Sequence, residues 1–332
     1  MADFLHHNLD QTVADSHAGG VVAIGNFDGV HRGHQMVLEQ AENIARKTGQ
    51  RCFALSFEPH PRTLLKPDSP VFRLTDETMK GRVLKAFGVD GLLTLPFTRE
   101  LASTSAEDFV KEYLLGRARA SHVISGFNFH FGKDRAGSPE FLRKAGQRLG
   151  FGVSIIEAIS DVGLADAEPI SSSRIRRHLG AGLVSDAASL LGYHWLVEGE
   201  VIQGAQLGRT LNFPTANLSL PASCHLAHGI YAVRLRRADG SLHDGVASYG
   251  RRPTFDNGPA LLETFIFDFC DDLYGETVAV SLIARLRGEE KFDSADALVV
   301  QMEKDCIDAR SVLAEVQPRS KLDQILNFDH KR

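Results

Sequence analysis

Residues 21–34, V-V-A-I-G-N-F-D-G-V-H-R-G-H, constrain this chain more than any other stretch. The apolar run 21–24 predicts a buried strand; Gly25, Asn26 and Asp28 break it, and a helical pattern opens near Gly33. A strand, a Gly-containing loop and a helix start, in that order, bring unpaired backbone N–H groups and the positive end of a helix dipole to one place, where a phosphate can sit. His31 and His34 are three residues apart, so on a first helical turn they share one side, and Gly33 between them has no side chain to obstruct an anion. Two imidazoles aimed at a phosphoryl group are poor nucleophiles but good donors to charge developing in a transition state, which implies nucleotidyl transfer. For an isolated H-x-x-H the alternatives are surface residues or half a metal site. This spacing is not that of H-E-x-x-H, because no Glu follows His31, and no third ligand stands nearby.

Two domains are expected from 332 residues, more than one hydrophobic core usually organises, and the change of rhythm described below puts the division at 1–186 and 187–332. With 37 basic and 42 acidic residues, the net charge of -5 gives no reason to expect a nucleic-acid or membrane partner, so anionic small molecules would need local sites. Cys52, Cys224, Cys270 and Cys306 are widely spaced without C-x-x-C, which argues against a disulfide framework and a zinc ribbon. The first residues lack the basic flank and apolar core of a signal peptide, and no apolar run reaches the length of a membrane span; the expectation is a cytoplasmic protein, with self-association left open.

Through the first half, strands expected at 52–57, 91–95, 121–124 and 152–156 alternate with helices at 33–47, 75–87, 105–115 and 138–149, the β-α-β rhythm of an α/β domain around a parallel sheet. Pro59 and Pro61 flank His60 in F-E-P-H-P and are expected to stop the second strand and hold its end extended, a rigid wall at the carboxyl edge where such folds bind ligands. Residues 126–132, G-F-N-F-H-F-G, alternate Phe127, Phe129 and Phe131 against Asn128 and His130, either a plain strand end or a ligand loop; five residues between the glycines, and Asp134 after Lys133, exclude a Walker site. An acidic loop at 161–168 precedes Ser171, Ser172 and Ser173, which either cap a helix or, with Arg176 three and four residues further on, converge on a triphosphate.

From Tyr193 the pattern changes to strands separated by turns, at 195–202, 230–236, 245–249, 262–269 and 277–286, and Asp239-Gly240 marks a hairpin. Five or six antiparallel strands without crossover helices imply a small β-barrel, followed by one long helix at 294–316 with Leu298, Val299, Met302, Cys306 and Ile307 as its packing stripe. In residues 204–217, G-A-Q-L-G-R-T-L-N-F-P-T-A-N, Gly204 and Gly208 allow a loop over phosphates, and Pro214 fixes an extended backbone behind it. Thr215 and Asn217 project from one face of that backbone; a hydroxyl and an amide oxygen together suit a hard cation such as the Mg²⁺ carried by ATP, while a bare P-T-x-N is also an ordinary turn. By the same alternation Glu263 shares a face with Leu261, Phe265, Phe267 and Phe269, a carboxylate set in an aromatic row and costly there unless it is used; a one-residue slip of register would turn Thr264 inward instead.

Read whole, G-x-F-D-G-x-H-x-G-H resembles the signature of the HxGH nucleotidylyltransferases, in the form found in bacterial FAD synthetases. The segment 126–132 resembles that family's G-x-D/N-F-x-F-G, and I-S-S-S-R-I-R its I-S-S-T-x-I-R with Ser173 in place of Thr. Residues 204–217 closely resemble the riboflavin kinase signature, and the later motifs at 245–255, 262–269, 272–275 and 286–292 follow in family order, so the resemblance spans nearly the whole chain. It implies a Rossmann-like adenylyltransferase domain followed by a kinase barrel, with ATP, riboflavin and FMN as substrates. His31, His34 and Glu263 would be catalytic; Gly25, Asn26, Phe27, Asp28, Gly33, Ser171, Ser172, Ser173, Arg176, Gly204, Gly208, Arg209 and Pro214 would bind nucleotide; Pro59, His60, Asn128 and Phe129 would bind flavin; and Thr215 and Asn217 would hold Mg²⁺. Two alternatives stay open on the sequence: a flavin- or nucleotide-binding regulator, and a transferase acting on another phosphate with the barrel accessory.

Overall fold

Short apolar runs separated by helical stretches bury both faces of a sheet only when crossover helices cover it, and the first of the chain's two units, Met1–Ser171, is built so. The computed structural model describes residues 4–157, 168–204, 211, 213–250 and 260–329. Strands β1 (Leu5–Asn8), β2 (Val21–Ile24), β3 (Cys52–Glu58), β4 (Gly91–Pro96), β5 (His122–Gly126) and β6 (Gly152–Ile156) form one sheet in the order β1-β4-β3-β2-β5-β6, every pair parallel. The order reverses at β2, so the crevice outside the carboxyl ends of β2 and β5 is the switch point at which open α/β sheets bind ligands. Helix α1 (Arg32–Thr48) returns the chain from β2 to β3, burying Val37, Leu38, Ala41 and Ala45, and Gly49 ends it in the left-handed conformation at φ 67°.

Several first-unit elements depart from expectation. β1 was not anticipated, because L-H-H-N reads as polar; as the edge strand it buries alternate positions only partly. Pro61 does not extend the end of β3: it occupies the first turn of the short helix α2 (Pro61–Leu65), where a missing N–H costs nothing. Helix α3 (Glu77–Phe87) and the short α4 (Arg99–Ser103) follow, and the helix expected at 105–115 is a turn, α5 (Ala106–Asp108), continued by the π-helical Phe109–Arg117. Helix α6 (Pro139–Leu149) completes the unit.

In the second unit, Ser172–Arg332, α7 (Ser172–Gly180) and α8 (Val184–Leu191) precede β7 (Leu196–Glu200), β8 (Thr215–Ser219), β9 (Gly229–Arg236), β10 (Leu242–Gly250), β11 (Leu261–Ile266) and β12 (Thr277–Arg287). The strand order is β7-β12-β9-β10-β11-β8, every pair antiparallel, and a bridge between Ile202 and Asn217 draws the two end strands together into a nearly closed barrel. Its interior is lined by Tyr231, Val233, Leu235, Ala247, Tyr249, Leu262 and Leu282, each at most 2% exposed. Helix α9 (Ala295–Glu315) covers an outer face, but not with the expected stripe: Ile307 is 68% exposed, while Asp305, Ala309 and Leu313 are buried. Asp305 tolerates burial because Arg287 donates to both its oxygens at 2.8 and 2.6 Å, a partner that helical periodicity cannot reveal. The last turns, α10 (Lys321–Asp323) and Gln324–Phe328, are fastened by buried polar bonds: His194 N and Nδ1 lie 2.9 and 2.8 Å from Asp323, and Asn327 Nδ2 donates to Asp323 Oδ1 at 2.7 Å.

The sequence puts the division at 186/187, whereas α7 and α8 fall with the second unit: Ala227 N donates to Leu179 O at 3.0 Å, α7 lies against α8, and α8 packs on β12. A fragment of residues 172–332 is therefore expected to exceed one of residues 187–332 in urea stability by about 3 kcal/mol or more, since the shorter piece loses the fully buried Ile175 and Leu179, at ~1.5–3 kcal/mol each. Coincident unfolding curves for the two fragments would show that α7 contributes nothing to the barrel.

Candidate active sites

Because β3, β2 and β5 are parallel neighbours, the loops that follow them emerge along one edge. The loop after β2 is held in a conformation its residues would not choose. Phe27 and Val30 lie at φ 46° and 37°, and a β-branched residue in the left-handed region is a true outlier. Buried bonds impose it. Asp28 accepts from Leu74 N at 2.8 Å and Thr75 N at 3.2 Å, Gly29 N donates to Thr75 Oγ1 at 3.0 Å, Ser56 Oγ donates to Asn26 O at 2.9 Å, and Gln35 Nε2 donates to Val30 O at 2.8 Å. His31 then caps α1, its Nδ1 accepting from His34 N at 3.3 Å, which leaves the proton of a neutral ring on Nε2. The His31 and His34 rings stack at 3.7 Å and 15°, with the edge of Phe27 against His34 at 5.3 Å. Gly33 suits that stack, because a Cβ there would stand 3.2 Å from the His31 ring, tight enough to push the ring by a few tenths of an ångström.

The flanking loops have their own supports. Glu58, at the end of β3, holds Arg73 bidentately at 2.5 and 2.7 Å; Pro59 beyond it is exposed, and His60 accepts from Arg62 N at 3.2 Å as the cap of α2. After β5, Phe127 is 41% exposed, Asn128 is exposed, Phe129 is half-buried and stacks toward Phe57 at 6.5 Å, and Phe131 is buried. The expected aromatic ladder is thus a descent from surface to core, turned inward by backbone bonds between Phe131 and Gly137 at 2.9 and 3.0 Å.

In the barrel, pairing of β8 with β11 sets Asn217 directly opposite Glu263 and Thr215 opposite Phe265, so all four project from one face. Ser248 of β10 lies on the other side of Glu263. Asn217 is 4% exposed, its Nδ2 donates to Thr215 O at 3.1 Å, and its Oδ1 is buried with no hydrogen-bond partner among the described residues. A buried, unsatisfied amide oxygen beside a hydroxyl fits a hard cation. Gly204 permits the arrangement, since a Cβ there would come within 2.7 Å of Asn217.

Residues 13–174 match the FAD synthetase family model, and residues 191–313 match that of riboflavin kinase. The chain is 35% identical over 312 residues to the bifunctional riboflavin kinase/FMN adenylyltransferase of Escherichia coli K12, covering 94% of this chain and 97% of that protein. It is 37% identical over 305 residues to that of Haemophilus influenzae, covering 92% and 96%. The chain belongs to the bifunctional riboflavin kinase/FMN adenylyltransferase family. A crystal structure described as a macrolide-efflux protein from Streptococcus pneumoniae superposes with a TM-score of 0.80 at 32% identity, over 94% of this chain and 98% of that one. Among the described residues, no helix is long and apolar enough to cross a membrane.

Within that family frame, the structure redistributes the candidates. In the FAD synthetase unit, Gly25, Asn26, His31, Gly33 and His34 gather at the switch point, whereas the side chains of Phe27 and Asp28 turn into the protein and serve the loop's shape. Ser171 closes the first unit, and Ser172, Ser173 and Arg176 lie in the first turns of α7 in the second. In the riboflavin kinase unit, Gly204, Pro214, Thr215, Asn217 and Glu263 are described, while Gly208, Arg209, most of 161–168 and residues 251–255 lie outside the described residues. Glu263 does share its face with Phe265, which meets Phe267 at 6.0 Å, but that face is not the barrel interior. Glu263 is half-buried on the outer face that carries Val246 and Phe265 under α9, and Thr264, fully buried, takes the interior position between Ala216 and Ala247. The row also ends early, because β11 stops at Ile266 and Asp268 turns to φ 53°. Thr75 and Arg73 escaped the sequence reading; they are 46 and 15 residues from their partners, and no local signal links them.

Burial, and then the charges of His31 and Lys80, hold the His34 imidazole well below its ordinary value of 6.5. The unfolded chain therefore takes up a proton as pH falls through 6.5 while the folded chain does not, so stability is lost below 6.5, by up to about 1.4 kcal/mol per pH unit. Melting temperatures measured between pH 7.5 and 5 should fall less steeply in a His34→Gln variant than in the parent. Parallel slopes would mean that His34 carries no such penalty.

Proposed function

We propose that the two stacked histidines and the Asn217–Glu263 pair are the working centres of FAD formation by this chain, the first for FMN adenylylation and the second for riboflavin phosphorylation. In the kinase step the γ-phosphoryl of ATP passes to the ribityl 5′-hydroxyl, whose proton must be removed; Glu263 is the base. Thr215 and Asn217 hold the Mg²⁺ that accompanies ATP and supplies charge neutralisation on the phosphates. Gly204, Gly208, Arg209 and Pro214 shape and charge the loop over the nucleotide. In the second step the FMN phosphate attacks the α-phosphorus of a second ATP and pyrophosphate leaves. The nucleophile is already an anion, so alignment and charge stabilisation suffice: His31 and His34 donate to the α-phosphate, and the backbone N–H groups of Asn26 and Phe27 meet the phosphates. Ser171, Ser172, Ser173 and Arg176 supply hydroxyl and guanidinium groups for nucleotide phosphate. Pro59, His60, Asn128 and Phe129 hold the flavin.

The observation that supports the kinase assignment most is the cross-strand pairing of Glu263 with Asn217, whose Oδ1 is buried and unsatisfied. A regulator that only bound flavin would need neither a carboxylate nor a cation-ready oxygen at that spot. Glu263→Gln keeps the shape and removes the basicity, so kcat for FMN formation is expected to fall by ~10² to 10⁴, with little change in ATP and riboflavin affinity and with adenylylation of supplied FMN retained. Wild-type kinase turnover in that variant would remove Glu263 from the chemistry.

A further inference from the structure

Lys80 lies in α3, is only 4% exposed, and has no part in the steps above. Its Nζ donates to Ser56 Oγ at 2.7 Å, and Ser56 Oγ donates in turn to the carbonyl of Asn26 at 2.9 Å. Direction in this relay is fixed by chemistry: an ammonium can only donate, and the single hydroxyl proton of Ser56 is spent on Asn26. Ser56 is 1% exposed, so water cannot substitute for either bond. A buried cation is expensive unless compensated, yet the carboxylates that favour it are engaged elsewhere. Asp28 accepts from Leu74 N and Thr75 N, Glu58 holds Arg73, and Glu77 accepts from Thr94 Oγ1 at 2.7 Å. The relay ends on the residue that opens the nucleotide loop, and Lys80 also acts electrostatically on His34. A positive charge kept here at a cost, and wired to a loop that must meet a polyanion, has a use once the polyanion arrives.

We propose that Lys80 is a positioning residue for adenylyl transfer, holding the Asn26 carbonyl through Ser56 so that the backbone N–H groups beyond it face the ATP phosphates, and keeping a buried positive charge behind them. The inference rests on the assignment of residues 25–34 to nucleotide. Asp28 from the β2 loop, Glu58 from β3, Arg73 from the segment before α3, Glu77 from α3 and His34 from α1 are the charged and titratable groups around the amine. Burial draws the Lys80 ammonium down to about 8, with Asp28, Glu58 and Glu77 opposing that shift and Arg73 adding to it. The charge is therefore present at pH 7 and is lost as pH rises through about 8.

The test uses the full chain, FMN and ATP with Mg²⁺, and follows kcat/KM for ATP in FAD formation from pH 6.5 to 9.5. The wild-type protein is expected to decline above about pH 8. Lys80→Met is expected to be about 10- to 100-fold slower at pH 7 and to lack the alkaline decline. Ser56→Ala should be slower by a similar factor while keeping the decline, because the charge stays, and Ser56→Thr should recover most of the rate by restoring the hydroxyl. Circular dichroism and thermal unfolding of the same samples report whether the first unit of each variant is folded, because riboflavin phosphorylation reports only on the second. A wild-type profile flat to pH 9.5 overturns the proposal, as does a folded Lys80→Met with wild-type rate and wild-type decline. If Lys80→Met does not fold, the Ser56 pair decides: Ser56→Ala at the wild-type rate, or Ser56→Thr no better than Ser56→Ala, overturns the relay. A wild-type protein that makes no FAD overturns the nucleotide assignment beneath it.

Discussion

The carboxylate of Asp28 accepts two backbone N–H groups from residues 74 and 75, and the shape of the first unit's ligand edge depends on that interaction. It is the largest of several bonds that offset Phe27 and Val30 in left-handed conformations, each costing on the order of 1–3 kcal/mol. Strain of this size persists only where surrounding bonds over-determine it, and here they come from β3, the segment before α3, and α1. The benefit is pre-organisation. Backbone groups of the loop and two imidazoles are held in place by the protein itself, and on the proposed reading ATP binding does not spend its free energy ordering them.

The barrel reaches a similar end by different means. An antiparallel ladder fixes which residues face each other across strands, and here it sets a carboxylate opposite a buried amide oxygen that has no partner among the described residues. No loop strain is needed, because the register does the positioning. On the proposed reading the difference suits the two reactions: deprotonating a hydroxyl needs a base held at one place, whereas aligning two anionic phosphates needs an extended array of donors.

What the sequence disclosed follows from how far apart cooperating residues stand. The switch-point loop was legible because strand, loop and both histidines fall within fourteen consecutive residues, and the alternation of elements gave the parallel sheet and the antiparallel barrel. The side chains of Asp28 and Phe27 were misjudged because their partners, Leu74, Thr75 and the core, are remote in sequence. Period-two alternation split β11 into two faces without saying which one the barrel interior would take, so Glu263 was assigned to the wrong surroundings and Thr264 to the alternative. The same limit applies to α9, where a charge paired across 18 residues is buried and Ile307 is exposed.

The central claim is that the stacked pair His31 and His34 carries adenylyl transfer independently of the kinase barrel, and its most direct measurement is FAD formation from supplied FMN by His31→Ala, His34→Ala and the double variant. The account predicts losses of about 10²-fold or more at either position, the scale of one lost transition-state donor, with riboflavin phosphorylation intact in the same preparations. Near-normal FAD formation by the double variant would contradict it and leave the two histidines as structural residues of a helix cap.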